Sequence, residues 1–444
     1  GATAAVLLTA LIGGGIAIRQ SLLARASDRA SRQLAREGLF KVYDDIRELP
    51  GTTAARQRII ERIGEYLKSM EANPGNDIEV LHELTDGYRR MAELQGSHLS
   101  SSTLGDPRAA RESYQRALEY LDKLIALVPG DRQARITRIE LLKSIGDIEE
   151  ILHGPEAALK FHGQAAQAAK EMMNQSPQDK QLAILLATLY LALGDSERYT
   201  GELANSEEHT LAALRAYEDL LAGQPEDTDL LDKASSAEAG VGMTQGRLGN
   251  LEGALQHYRS SLARRRQLLQ LKPLNVNYRR ELMIALSHVG DVLGYPFVPN
   301  LRRPEQAVEP YEEMLSIARS IHAADPLDAR GESDQGVAQY RLASVLPAAR
   351  AGEKKRLLEA SQQFFQAKLE KDPGNNSLTN HLTNAEFLLG EYYRDAGDVA
   401  TAVRQYRTVV AIADRLARTG RGVIGSLPFT AEDRKSTRLN SSHT

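Results

Sequence analysis

The sequence predicts an all-α solenoid of about six to seven helix pairs, with a repeat period of about 48, preceded by one transmembrane helix. Three observations carry this expectation. A proline followed two residues later by Asp or Asn recurs along the chain, the stretches between are amphipathic at helical spacing, and residues 1–18 carry no charge. The prolines are Pro74, Pro129, Pro177, Pro225, Pro273, Pro326 and Pro373, which makes the spacing nearly regular.

Composition narrows the class. With 55 basic and 59 acidic residues among 444, no global field points to nucleic acid or to an acidic substrate. Aromatics are 5%, Trp is absent and 26% of residues are charged, which favours a helical protein of large surface over a thick core. The absence of Cys excludes disulfides, thiolate metal sites and cysteine nucleophiles.

The first element is "GATAAVLLTALIGGGIAI", residues 1–18, ended by Arg19. As a helix it reaches about 27 Å, enough for a hydrocarbon core. A secretory signal has a shorter apolar region and a cleavage site, and no convincing site follows, so the stretch reads as a membrane anchor. Residues 19–50 follow as an Arg-rich juxtamembrane helix and linker. Arg25, Arg29, Arg32 and Arg36 form one stripe suited to solvent or anionic lipid headgroups.

Residues 51–418 hold the repeats. In "RESYQRALEYLDKLIAL", Tyr114, Ala117, Leu121, Leu124 and Ile125 share one helical face. Proline lacks the N–H and clashes with the preceding turn, so each proline ends a helix, and the Asp or Asn after it caps the next. Inside each unit a Gly or Pro precedes a small residue, and an aromatic follows four residues on. The sets are Gly105/Ala110/Tyr114, Gly154/Ala157/Phe161, Gly249/Ala254/Tyr258, Pro304/Ala307/Tyr311 and Gly397/Ala402/Tyr406. Alanine permits close helix approach and the aromatic fills the gap against the next pair, so a unit buries its face only by stacking. Some second helices read as lengthened. The runs from Tyr114 to Pro129, Tyr258 to Pro273 and Tyr311 to Pro326 are nearly twice those from Tyr217 to Pro225 and Phe365 to Pro373. Residues 96–114 and 294–311 read as elongated turns projecting from one edge, either tolerated insertions or ligand-contacting loops. Residues 419–432 read as a disordered tail, and 433–444, "DRKSTRLNSSHT", as the translation of a sequencing-library adapter.

The unit at 384–410 is the most explicit. Leu389-Gly390, Tyr393, Gly397, Ala402 and Tyr406 resemble the Leu-Gly pair, aromatic, turn Gly, small residue and aromatic of the tetratricopeptide repeat (TPR), whose period is shorter than this one. The stretch 39–70, with its "ELPG" turn, resembles the C-terminal half of bacterial membrane-anchored serine/threonine protein kinases that carry TPR arrays. That resemblance implies a kinase domain upstream of Gly1 and a single-pass membrane protein whose solenoid, placed outside the cytoplasm, docks a protein or peptide. The Arg-rich flank pulls against that orientation, since positive flanks tend to stay cytoplasmic.

No catalytic signature survives inspection. "GVGMTQG" (240–246) has the wrong spacing for a phosphate loop and no preceding strand, and "HELTD" (82–86) lacks the second His of a zinc helix. His82, His162, His257 and His381 have no partners at ligand spacing. The expectation is a non-enzymatic interaction scaffold with no cofactor and no metal, its first helices lining a binding face. Self-association of anchored chains is the competing expectation.

Overall fold

In the computed structural model the described residues are 38, 41, 53–71, 75–96, 106–273, 275–324 and 329–418. The predicted span at 1–18, the arginine stripe, the tail at 419–432 and residues 433–444 lie outside them, as do Gly105 and Pro326. Among the described residues no helix is long and apolar enough to cross a membrane.

Fifteen α-helices make up the described chain, with no strand among them. A single helix, α1 (Thr53–Glu71), precedes seven hairpins: α2 (Ile78–Gln95) with α3 (Pro107–Leu127), α4 (Arg132–His153) with α5 (Pro155–Gln175), α6 (Lys180–Thr200) with α7 (Leu203–Gly223), α8 (Thr228–Arg247) with α9 (Leu251–Leu271), α10 (Val276–Gly294) with α11 (Pro304–Ala324), α12 (Ala329–Val345) with α13 (Ala351–Lys371), and α14 (Asn376–Asp395) with α15 (Val399–Arg418). The chain divides into two compact units at Asn174/Gln175, the first holding α1–α5 and the second α6–α15.

The punctuation acts as its chemistry requires. Asp131, Asp179, Asp227, Asn275 and Asn375 each accept a hydrogen bond from a backbone N–H of the helix they open. Pro129, Pro177, Pro225, Pro273 and Pro373 stand two residues earlier, in the turns. The first unit differs by one residue: Asp77 caps α2, accepting from Glu79 and Val80, where the Pro-x-Asn pattern points to Asn76.

A stricter register runs inside the hairpins. At a constant distance past each opening Asp or Asn stands Ala92, Gly146, Gly194, Gly242, Gly290, Ala343 or Gly390. Over the five glycines lie the side chains of His162, Thr210, Tyr258, Tyr311 and Tyr406, in that order. Tyr114 and Leu358 hold the equivalent places opposite Ala92 and Ala343 in the sequence, and both are buried. The approach is close. A Cβ at Gly242 would come within 2.6 Å of the Tyr258 ring, one at Gly290 within 2.5 Å of Tyr311, and one at Gly390 within 2.5 Å of Tyr406.

This register corrects the second hairpin. Ala158 and His162 are the buried pair, and Ala157 and Phe161 are only half-buried. At Gly154 a single residue separates the helices, against three at Gly249 and at Gly397, because Pro155 enters the helix directly at its first position. The lengthened second helices are corrected too, since α3, α5, α7, α9, α11 and α13 are each 21 residues long. Tyr217 and Phe365 stand two helical turns beyond Thr210 and Leu358 on the same face, and both are fully buried.

Within each unit, successive hairpins bury their faces on one another. In the first unit one core runs from Ile63 and Leu67 through Leu84, Tyr114 and Leu124 to Ile145. In the second unit one cluster centres on Tyr217, Leu231 and Val241, and another runs from Ala254 through Tyr311 and Phe365 to Leu389. There the first helices also touch each other directly, α6 with α8, α8 with α10 and α12 with α14.

Candidate functional site

The first helices α6, α8 and α10 come together in the second unit, with small residues of α8 at the close approaches. The "GVGMTQG" run lies within α8: Leu191 of α6 covers Gly240, while Tyr258 of α9 covers Gly242. Between the three first helices lies a cavity of about 180 Å³. Leu191 and Asp195 come from α6, Ser236, Ala239 and Met243 from α8, Arg265 from α9, and Glu281, Ile284 and His288 from α10.

The charges at this cavity are ordered. Arg265 is buried, ion-paired with Asp232, bonded to Ser236 Oγ at 2.9 Å and 3.4 Å from Glu281. Arg198, also buried, donates to Asp195 at 2.8 Å. His288 tilts against the Tyr258 ring at 5.1 Å, and its Nδ1 has no hydrogen-bond partner in the protein. Burial pushes the His288 pKa down to about 4, with nearby Asp291 opposing and Arg341 adding to the shift, so the ring is neutral at pH 7.

Beyond α10 the same face is filled by the chain itself. Residues 295–303, expected to project from an edge, turn inward. Tyr295 is buried, and Phe297 meets it edge-to-face at 5.2 Å and Phe387 of α14 at 5.5 Å. The Arg341 guanidinium lies 5.3 Å from the Tyr295 ring centre and 3.2 Å from Asp291, whose other oxygen accepts from Tyr311 at 2.5 Å. Backbone bonds from Leu301 to Val292 (2.8 Å) and Arg303 to Leu293 (2.7 Å) pin the loop. The insertion is a plug, and it leaves the α6–α8–α10 stretch as the open part of this face. The companion insertion, residues 97–105, lies outside the described residues.

The residues singled out in the sequence serve packing. Ala110, Tyr114, Ala254, Tyr258, Ala307, Tyr311 and Ala402 are buried between helices. Tyr393 is half-buried and donates to Glu359 at 3.3 Å, Tyr406 donates to Glu391 at 2.5 Å, and Gly397 turns the chain at φ 80°. The histidines have structural partners: His162 with Asp147 (3.2 Å), His257 with Glu238 (2.6 Å) and His381 with the Tyr340 hydroxyl (3.0 Å). Among the described residues no group of three His, Asp or Glu side chains is arranged to hold a metal ion. Cavity residues such as Arg265 and Ile284 were not singled out in the sequence. Counting from the caps would have found part of the set, because Asp195 and Met243 each directly follow a glycine of the hairpin register.

No protein-family model and no curated protein matches the chain. Among solved structures it is similar to BtubC (BKLC) from P. vanneervenii, with 17% identity and a TM-score of 0.43 over 58% of this chain and 90% of that one. It is also similar to a Rap protein complexed with competence and sporulation factor, at 13% identity and a TM-score of 0.47 over 88% and 99%. A tetratricopeptide repeat protein from Parabacteroides merdae matches at 15% identity and a TM-score of 0.33 over 75% and 93%. With all three scores under 0.5, the assignment to a TPR-like helical-repeat fold rests on the chain's own geometry: stacked hairpins with a small residue under a larger side chain.

Proposed function

We propose that the chain is a non-catalytic, TPR-like interaction scaffold whose second unit binds a peptide or protein segment on the open face of α6, α8 and α10. The observation that carries this reading is the cavity there, walled by Leu191, Ala239, Met243 and Ile284 and edged by carboxylates, on a face the chain fills itself one repeat later. A rigid helical frame holding an apolar slot with a few polar groups is what segment recognition needs. Ala239→Trp fills the slot. Peptides selected from a random display library on the full chain should lose at least about tenfold in affinity to this variant, with the helical circular dichroism unchanged. Binders indifferent to the substitution would refute the assignment.

The finer placement follows from the resemblance carried by residues 39–70: the docking half of a membrane-anchored serine/threonine kinase, tethered by 1–18 with its solenoid outside the cytoplasm. Recovering the DNA upstream of the Gly1 codon tests it. An in-frame kinase domain supports the placement, and a start codon directly before Gly1 removes it. Self-association is a second reading, drawn from α15, where Val399, Val403 and Val410 are exposed. Sedimentation that stays monomeric at rising concentration would count against it.

A further inference from the structure

We infer that the α6–α8–α10 groove selects a segment of a separate polypeptide that carries a cationic side chain, Lys or Arg, beside an aliphatic one. The inference rests on the reading of this groove as a peptide site and names what it takes.

Size comes first. At about 180 Å³ the cavity falls below the roughly 300–1,000 Å³ of small-molecule pockets and suits a single inserted side chain. Leu191, Ala239, Met243 and Ile284 give it an aliphatic wall, and Met243 can reshape to the occupant.

Charge comes second. The carboxylates of Asp195, Asp232 and Glu281 are 40%, 40% and 41% exposed, whereas the guanidinium side chains of Arg198 and Arg265 are 7% and 6% exposed. In the cavity lining itself Asp195 and Glu281 present accessible carboxylate oxygen, while the Arg265 guanidinium in the wall is already engaged by Asp232, Ser236 and Glu281. An anion would meet the exposed carboxylates first and compete with them for the buried arginines, at the cost of weakening those ion pairs. A cation adds a second partner to carboxylates that stay where they are. His288, neutral at pH 7, adds no positive charge to the wall.

The test uses the full chain and fluorescein-labelled hexapeptide pools of fixed centre: Leu-Lys, Leu-Glu and Ser-Lys, with mixed residues elsewhere, read by fluorescence polarisation. The Leu-Lys pool should bind about tenfold more tightly than the Leu-Glu pool, since two or three exposed carboxylates change from attraction to repulsion. It should also exceed Ser-Lys, and its advantage should shrink as salt rises. Glu281→Gln, at an exposed position where Arg265 keeps Asp232, should reduce the Lys-over-Glu preference, and Asp195→Asn provides a second variant. Binding that Ala239→Trp abolishes, but with no preference for Lys over Glu, overturns this inference while leaving the peptide site standing. Failure of every pool to bind the wild-type chain overturns both. Tighter binding of a synthetic peptide of residues 20–36 than of any pool would assign the groove to the chain's own arginine-rich segment, and so overturn the assignment to a separate partner.

Discussion

Glu386 and His288 show how single buried groups set the protein's response to pH. Glu386 is buried on α14. One of its oxygens accepts from Gln362 at 2.8 Å, and the other has no partner in the protein. Burial raises its pKa above the usual 4.5, and the Gln362 bond opposes that only in part. The folded chain therefore holds this proton where the unfolded chain has released it, so its contribution to stability is lost as pH rises from below the unfolded pKa through the folded one. Glu386→Gln should raise the melting temperature at pH 7, by about 1 kcal/mol in stability, and the gain should fade near pH 4. His288 and His381 behave in the opposite sense. Burial holds both near a pKa of about 4, so between pH 6.5 and 4 the unfolded chain binds protons that the folded chain refuses. Stability should fall as pH drops through that window, by about 2 kcal/mol per histidine at pH 5. Urea denaturation at pH 7 and pH 5 measures it, and His288→Phe should remove part of the slope. An unchanged slope would place the proton uptake elsewhere.

Within an element, close approach decides what a glycine is worth. Gly242 and Gly163 are both helical. A Cβ at Gly242 would strike the Tyr258 ring at 2.6 Å and stand 3.2 Å from the Ala254 carbonyl oxygen, and one at Gly163 meets nothing within 4 Å. Gly242→Ala should destabilise by roughly 1–3 kcal/mol through overpacking, whereas Gly163→Ala should stabilise by up to about 1 kcal/mol through helix propensity. Thermal unfolding of the pair separates packing from propensity, and equal shifts would contradict the register. The elements themselves were legible in the sequence because proline and its capping Asp or Asn act locally. The hairpin register was only partly so. Aromatic residues mark it at Tyr114, Tyr258, Tyr311 and Tyr406, but His162, Thr210 and Leu358 hold the same place with side chains of unrelated chemistry. Only volume over a glycine or alanine is required there, and volume leaves no aromatic signature. The inward turn of residues 295–303 was invisible for another reason: Phe297 meets Phe387, a partner two hairpins further along the chain.

At the scale of the molecule, stability is spread over nearest-neighbour stacking in two units. A core truncation should therefore be felt in its own unit. Leu124→Ala in the first unit and Leu286→Ala in the second each remove a fully buried leucine, costing about 2–5 kcal/mol. Amide hydrogen exchange should accelerate in α1–α5 for the first and in α6–α15 for the second. Acceleration throughout the chain in both variants would mean a single cooperative block. The same frame positions the groove, since α6, α8 and α10 touch in sequence and are packed on α7, α9 and α11 within the second unit. The most direct measurement places a benzophenone side chain at Met243 in the groove or at Arg259 on the exposed face of α9, and irradiates each chain with display-selected peptides. Cross-linking confined to position 243 is the expected result. Cross-linking at 259, or at neither position with peptides that bind, would contradict a binding face built from the first helices.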